Sequence, residues 1–359
     1  MIKQRIGIVL HDDGAGGGSE RIARRLGQAW MSAGRDVVLL VGDPTGWREL
    51  PGTIPRRLSP QVPIERATGS RRRLGRWAGE AAREERLDAL YLPGNFHLAA
   101  LPALRRAAAG WPLAIVALLS NPVERRDRRG LARAVWRART RRRLAQADRM
   151  VALSQALAEE ARPLVAAGGL SVIPLPVLDD DTPVRPRAPG PRTTLVLGVG
   201  RLVPQKNWPL LLRAVALCAP AVRLRLVGEG PERSRLERLA AELGLAERVV
   251  FAGRVDDVPA AKASAGLLAI ASDYETGPAV ALEALAAGLP VVATACSPSI
   301  DELVPPGHGI IVPTGDAEAL AQAITTTLAD PPPPVSPAHL DRFRIGGVAR
   351  AFLALFDGV

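Results

Sequence analysis

Short apolar runs of strand length alternate with longer amphipathic stretches along almost the whole chain, the pattern of repeated βαβ units around parallel sheets. In the first half the strand candidates are Arg5 to Leu10, Asp36 to Val41, Leu87 to Leu92, Leu113 to Leu118, Arg149 to Leu153 and Leu170 to Ile173. Helical stretches such as Ser19 to Ala33 and Leu131 to Ala145 lie between them. A Pro-rich, acidic segment from Pro174 to Pro191 breaks the periodicity and reads as an interdomain linker. The pattern restarts with strand Thr194 to Val199, helix Trp208 to Leu217, strand Arg223 to Val227, helix Glu232 to Leu243 and strand Val249 to Ala252. Strands at Leu267 to Ala271 and Val291 to Thr294 follow, and a second Pro-rich stretch, Pro331 to Pro334, precedes a terminal helical piece from about Ser336 to Phe356. The class is α/β, with Rossmann-like domains expected over residues 1–175 and 193–335, a linker at 176–192 and a helical tail at 336–359.

Length and composition keep that picture and narrow it. The 359 residues, 47% hydrophobic and 23% charged, allow two domains with sizeable cores and exclude wholesale disorder. Cys218 and Cys296 are the only cysteines, so no disulfide framework or cysteine-built zinc site is available and a reducing, cytoplasmic setting fits. The apolar run Ile6 to Leu10, followed by His11, Asp12 and Asp13, reads as a strand rather than a signal peptide. No window approaches the roughly 20 apolar residues that span a bilayer, so membrane contact is expected to be peripheral, at the inner face. Charge is uneven: residues 1–190 carry a net +13 and residues 191–359 a net −2. The first domain is thus expected to meet something anionic, although a bias to arginine with only three lysines (Lys3, Lys206, Lys262) also fits gene base composition.

In open parallel sheets ligands bind outside the carboxyl ends of the strands, so the loops there carry the candidate chemistry. After the first strand come Gly14, Ala15, Gly16, Gly17, Gly18 and Ser19, which fit either close backbone approach to an anion or a flexible turn; the full dinucleotide spacing is absent. The strand ending at Val199 delivers Gly200 to Asn207, where Arg201 and Lys206 run into a helix N-terminus and form a diphosphate clamp or, more blandly, a solvated pair of cations. In Ser272 to Glu283, Pro278 suits the first helical position, placing the amides of Gly277, Ala279 and Val280 at a helix N-terminus with Glu283 about a turn further in.

Gly200 to Asn207, Val227 to Pro231, Phe251 to Val255, and above all Glu275 to Glu283 followed by Ala284 to Thr294, resemble retaining GT-B glycosyltransferases of family four. The similarity covers nearly the whole second half and, more weakly, the order of elements in the first. It implies two Rossmann-like domains facing across a cleft, with the tail crossing back onto the first, and transfer of a sugar from a nucleotide-sugar donor to a saccharide or lipid-linked acceptor in cell-surface polysaccharide or glycolipid synthesis. Carried over by residue, it implies that Arg201 and Lys206 bind the donor diphosphate, Glu283 the ribose and Glu275 the transferred sugar. Gly253, Arg254 and Val255 match the segment that receives the nucleobase, Gly16, Gly17 and Gly18 the loop approaching phosphate and acceptor, and Gly277, Pro278 and Ala279 the donor-facing helix start. Thr276 and Gly277 stand where a glycine followed by an aromatic is usual.

Family members often place a histidine after the strand matched by Leu113 to Leu118, but here Leu119, Ser120, Asn121 and Pro122 follow. Either Ser120 and Asn121 line the site or another residue substitutes, with His97 the nearest alternative by fold position and His11 comparable. The one Asp-x-Asp spacing, Asp179 to Asp181, lies in the linker, so no metal and no separate cofactor is expected, cations and amides offsetting the leaving-group charge. Between Ser120 and Ala145 stand ten arginines against Glu124 and Asp127, either a solvated helix or a surface drawn to anionic lipid. No helix-turn-helix, RNA-recognition or zinc module points to nucleic acid. Two alternatives stay open: a noncatalytic nucleotide-sugar-binding partner, and an epimerase on the same scaffold.

Overall fold

A computed structural model describes residues 4–12, 18–45, 56–124, 129–186, 193–255 and 257–359. The chain divides into two compact units, Met1–Pro176 together with Arg342–Val359, and Val177–Asp341.

The first unit is built on β1 (Arg5–Asp12), β2 (Asp36–Asp43), β3 (Arg56–Leu58), β4 (Ala89–Leu92), β5 (Ala114–Leu119), β6 (Arg149–Ala152) and β7 (Leu170–Val172). All pair in parallel in the order β3-β2-β1-β4-β5-β6-β7. The connecting helices are α1 (Gly18–Ser32), α2 (Ser70–Glu84), α3 (Leu101–Ala107), α4 (Gly130–Leu144) and α5 (Gln155–Ala161). Ile6, Gly7 and Ile8 of β1 lie between Val37 to Leu39 and Ala89 to Tyr91, and the run is sealed on both faces, which is why it is apolar throughout instead of alternating.

The second unit contains β8 (Leu195–Val199), β9 (Arg223–Val227), β10 (Val249–Gly253), β11 (Leu267–Ile270), β12 (Val291–Thr294) and β13 (Gly309–Val312), again parallel, ordered β10-β9-β8-β11-β12-β13. Its helices are α6 (Trp208–Leu217), α7 (Arg233–Glu242), α8 (Val258–Ala263), α9 (Ala279–Ala286), α10 (Ile300–Leu303), α11 (Ala317–Ala329) and α12 (Pro337–Asp341). In both sheets the strand order reverses next to the first strand, between β1 and β4 and between β8 and β11. Crossovers on either side of such a point leave to opposite faces, which opens a crevice at the strand C-termini and fixes where a ligand can enter.

The terminal helix α13 (Ile345–Asp357) returns to the first unit. Trp30 of α1 is fully buried, meets Phe352 and Phe356 edge-on with ring centroids 6.0 and 5.2 Å away, and donates its indole N–H to the Ala349 carbonyl at 3.2 Å. A bidentate Arg35–Asp357 contact at 2.7 Å closes the end of the helix.

Four details depart from the pattern-based reading. β3, three residues of which two are exposed arginines, and β13, a four-residue apolar strand that is mostly half-buried, are absent from it, and the terminal piece splits into α12 and α13. The linker is held over much of its first half: Val177 and Leu178 are buried, and the Arg185 N–H donates to the Ala286 carbonyl at 2.8 Å. Pro278 is the capping residue just before α9 rather than its first helical residue, with φ −68° and ψ 92°.

Candidate functional site

In the second unit the loops leaving β8 and β11 are stitched together at the crevice edge. The Gly200 N–H donates to the Val227 carbonyl and the Leu202 N–H to the Glu229 carbonyl, each at 2.9 Å, which lays the β8 loop against the loop after β9. The two chains touch closely at Gly228, whose φ of +138° and lack of a side chain are both required: a Cβ there would lie 1.9 Å from the Gly200 carbonyl oxygen. Asn207, itself left-handed at φ 44°, accepts the Leu210 N–H to cap α6 and donates its amide to Asp273 at 2.6 Å. Gln205 donates to the Tyr274 carbonyl at 2.8 Å and accepts the Asp273 N–H on its own carbonyl at 3.0 Å.

This scaffold brings Lys206 and Glu275 into direct contact. The Lys206 ammonium donates to Glu275 Oε1, and the Ser272 hydroxyl donates to the same oxygen at 2.8 Å. Both side chains are largely enclosed, 18% and 11% exposed. Arg201 lies on the same loop with its side chain open to solvent, while its carbonyl accepts the Trp208 indole N–H at 2.9 Å. One cation is thus committed to a carboxylate and the other is exposed to solvent.

A second pair sits on α9. Glu283, the fifth residue of that helix and half-buried, accepts the Lys262 ammonium on Oε2 at 2.8 Å. Lys262 lies on α8, whose first turn is capped by Asp257 accepting the Ala260 N–H at 2.8 Å. α8 follows the segment Gly253, Arg254, Val255, in which Gly253 turns at φ 68°, Arg254 is exposed and Val255 is half-buried. The segments leaving β8, β10 and β11 therefore place Arg201, Lys206, Arg254, Val255, Glu275, Gly277, Pro278, Ala279 and Glu283 along one edge of one sheet.

In the first unit Ser120 and Asn121 follow β5 and are fastened by Asn95, which follows β4. One Asn95 side-chain oxygen accepts the N–H groups of Ser120 and Asn121 at 2.8 and 3.2 Å, and its amide donates to the Asn121 carbonyl at 2.8 Å. The Asn121 amide donates to the Ser120 hydroxyl at 3.2 Å. His97, the alternative offered by fold position, is enclosed: it is 2% exposed, packs edge-on to Phe96, and neither ring nitrogen has a hydrogen-bond partner among the described residues. Burial pushes its pKa down to about 4, only partly offset by the nearby Pro93 carbonyl, so the ring is neutral. His11 at the end of β1 is fully buried, edge-on to Phe96, and burial and Arg66 lower its pKa too. Gly16 and Gly17 lie outside the described residues, and Gly18 opens α1.

Pattern reading singled out the loop cations and the two glutamates but missed their partners Lys262 and Ser272 and the clamp Asn95. Two of the chain's three lysines, Lys206 and Lys262, stand opposite these two glutamates, a pairing that only the structure shows. Among the described residues no group of three or more His, Cys, Asp and Glu is arranged to hold a metal ion. Nor is any described helix long and apolar enough to cross a membrane.

On α4, Leu131 and Val135 are exposed one turn apart, and Arg141, Arg142 and Arg143 project to solvent from its last turn. Arg133 is held by Glu124 at 2.8 Å. Arg125, Arg126 and Arg128 lie outside the described residues.

Two parallel α/β units with crevices at their strand switch points are the framework of the GT-B glycosyltransferases, and comparison bears this out. The structure of Alr3699/HepE from Anabaena, solved in complex with UDP and glucose, superposes with a TM-score of 0.74 at 20% identity, covering 99% of this chain and 100% of that one. The model of Glycosyltransferase Family 4 matches residues 16–180 and that of Glycosyl transferases group 1 matches residues 184–341. Between them they take in nearly the whole chain, which belongs to the GT-B glycosyltransferases of family four. The lipopolysaccharide core biosynthesis glycosyltransferase LpsE of Rhizobium meliloti (strain 1021) is 38% identical over 136 residues, 38% of this chain and 40% of that protein. The GDP-mannose-dependent alpha-(1-6)-phosphatidylinositol monomannoside mannosyltransferase of Mycolicibacterium smegmatis (strain ATCC 700084 / mc(2)155) is 34% identical over 149 residues, 38% of this chain and 39% of that protein. The chain thus spans about 40% of the length of either relative.

Proposed function

We propose that this protein transfers a sugar, with retention of anomeric configuration and without a metal ion, from a nucleotide-sugar donor to a saccharide or lipid-linked saccharide. The observation that carries the reading is the pair of lysine–glutamate contacts, Lys206 with Glu275 and Lys262 with Glu283, set on the strand-end loops and helix start of one crevice. Arg201 and Lys206 take the diphosphate, and as the bond from the sugar carbon to the phosphate oxygen breaks they offset the charge that develops there. The acceptor hydroxyl forms the new bond to that carbon, and its proton goes to the departing phosphate. Glu275 accepts from a sugar hydroxyl, Glu283 from the ribose, Arg254 and Val255 receive the base, and the amides of Gly277 and Ala279 face the donor across the Pro278 cap. On the first unit Asn121 and the loop of Gly16, Gly17 and Gly18 meet acceptor and phosphate, while His97, at 2% exposure, is enclosed away from substrate.

The names of the relatives, one acting in lipopolysaccharide core synthesis and one on a phosphatidylinositol mannoside, support a glycolipid or cell-surface polysaccharide as the product class. Arginines at the end of α4 beside exposed Leu131 and Val135 support contact with an anionic membrane face. Incubating the protein with a panel of nucleotide sugars, with and without membrane extract, tests the reading by nucleoside diphosphate release. Release that needs the extract, with a product of unchanged anomeric configuration by NMR, is the expected result. Binding without release identifies a noncatalytic partner, and an altered free nucleotide sugar an epimerase. Replacing Arg141 to Arg143 by glutamine should reduce sedimentation with acidic vesicles; equal pelleting of mutant and parent removes the membrane part of the proposal.

A further inference from the structure

We infer that Lys262 is a positioning residue for donor recognition: it holds the Glu283 carboxylate in the orientation that selects a ribose over a 2′-deoxyribose. The inference rests on the assignment of Glu283 to the ribose. Its basis in the structure is separate, the contact of Lys262 Nζ with Glu283 Oε2 at 2.8 Å and the unequal burial of the two groups, 8% and 34% exposed.

That inequality decides which group controls the other. Lys262 is closed in, and an ammonium so enclosed requires a partner, since a buried charge left unpaired is strongly unfavourable. Glu283 is half-buried and, without the ammonium, is free to turn toward water. Among the described residues Lys262 is the one group that hydrogen-bonds the Glu283 side chain. The contact occupies Oε2 and leaves Oε1 open, so the free oxygen has a fixed direction. Vicinal ribose hydroxyls need an acceptor fixed in this way, because a mobile carboxylate gives back in rotamer entropy much of what the hydrogen bond contributes. The covalent path adds a second consequence. Lys262 is carried by α8, which begins at Val258, a short way after Gly253, Arg254 and Val255, with Asp257 capping its first turn. A shift of that segment on binding a base is passed through one short helix to the carboxylate that meets the ribose, which couples the two halves of nucleoside recognition.

The test uses whichever of ADP, GDP, UDP and CDP the protein binds best, its 2′-deoxy counterpart, and inorganic pyrophosphate as a probe lacking the nucleoside. In the parent the ribonucleotide should bind at least about tenfold more tightly than the deoxynucleotide, the range of a hydrogen bond to a charged group. Lys262→Met and Glu283→Gln should each reduce that ratio to about twofold while pyrophosphate affinity stays within twofold. Lys262→Arg, which restores a cation, should recover part of the ratio. A purely structural role would lower the melting temperature and weaken pyrophosphate and nucleotide together. If Lys262→Met is poorly folded, Lys262→Gln and Lys262→Arg carry the same comparison. A ratio that survives in folded Lys262 variants but is lost in Glu283→Gln overturns the role of Lys262 alone. A ratio that survives in Glu283→Gln overturns the ribose assignment beneath it.

Discussion

Glu275→Gln should separate two properties that usually move together: nucleoside diphosphates should bind more tightly while sugar transfer slows. The Lys206 ammonium is bonded to Glu275 Oε1, and both groups are mostly shielded from solvent. Any phosphate oxygen that reaches the same ammonium comes within roughly 5 Å of the carboxylate. With an effective dielectric of about 20, two like charges at that distance repel by about 3 kcal/mol, and residual solvent access brings this nearer 1. Glutamine keeps the volume and a carbonyl oxygen for the Ser272 hydroxyl, now 2.8 Å from the carboxylate, but removes the charge. Affinity for the nucleoside diphosphate and for inorganic pyrophosphate should therefore rise about fivefold or more. The gain should shrink with added salt as far as water reaches the pair. Turnover of the sugar nucleotide should fall by about tenfold or more, since a neutral amide is the weaker acceptor for a sugar hydroxyl. Titration calorimetry at two ionic strengths and a nucleoside-diphosphate release assay give the two readouts. Equal or weaker diphosphate binding in the mutant, with an unchanged melting temperature, refutes the argument that Glu275 and the diphosphate compete for Lys206.

Other outcomes follow from the same geometry. Gly228→Ala would force a Cβ against the Gly200 carbonyl, so the melting temperature should drop by several degrees and diphosphate affinity should fall with the displaced Arg201 and Lys206 loop; calorimetry on a folded mutant checks both. His97 has a folded pKa of about 4 against 6.5, so it binds a proton more readily unfolded: its contribution is fully present above pH 6.5 and is lost as pH falls toward 4, on the order of 3 kcal/mol. Urea unfolding at pH 7 and pH 4.5 should show the loss, and His97→Leu should flatten it. The Cys296 thiol is pushed up to about 11 and that of Cys218 is raised, both by burial, so iodoacetamide at pH 8 should label neither cysteine in the native protein and both in urea, read by mass spectrometry.

Much of the fold was legible because burial on both faces forces an unbroken apolar run on each central strand. Ile6 to Leu10, Val37 to Val41 and Val196 to Leu197 announce themselves for that reason. Arg56–Leu58 cannot: two of its three residues are exposed, and it is a strand only because its backbone pairs with Val38 to Leu40. The site divides along the same line. Arg201, Lys206, Glu275 and Glu283 lie in compact stretches after strands, where sequence order alone places a residue at the crevice edge. Lys262 and Asn95 act across elements, meeting partners 21 and 26 residues away, and nothing in their local sequence reports such a contact. Burial of His97 was equally hidden, because a histidine after a strand looks the same whether it faces ligand or is enclosed, edge-on to the preceding Phe96.

The two lysine–glutamate pairs also bear on both stability and selectivity. Two enclosed ammonium groups would cost several kcal/mol each without counter-ions, so the carboxylates serve first as structural partners. On the proposed reading, a nucleotide sugar adds to these interactions, giving phosphate oxygens to Lys206 and hydroxyls to Glu275 and Glu283. Inorganic phosphate supplies only the first, and must do so against the charge of Glu275. A nucleoside satisfies Glu283 but brings nothing for Lys206. Discrimination then arises from the carboxylates that anions must approach as much as from the cations that attract them, which is specificity through an opposing term. Neutralising Glu275 removes that term, so the same substitution that tightens nucleoside diphosphate binding should also let inorganic phosphate compete with it.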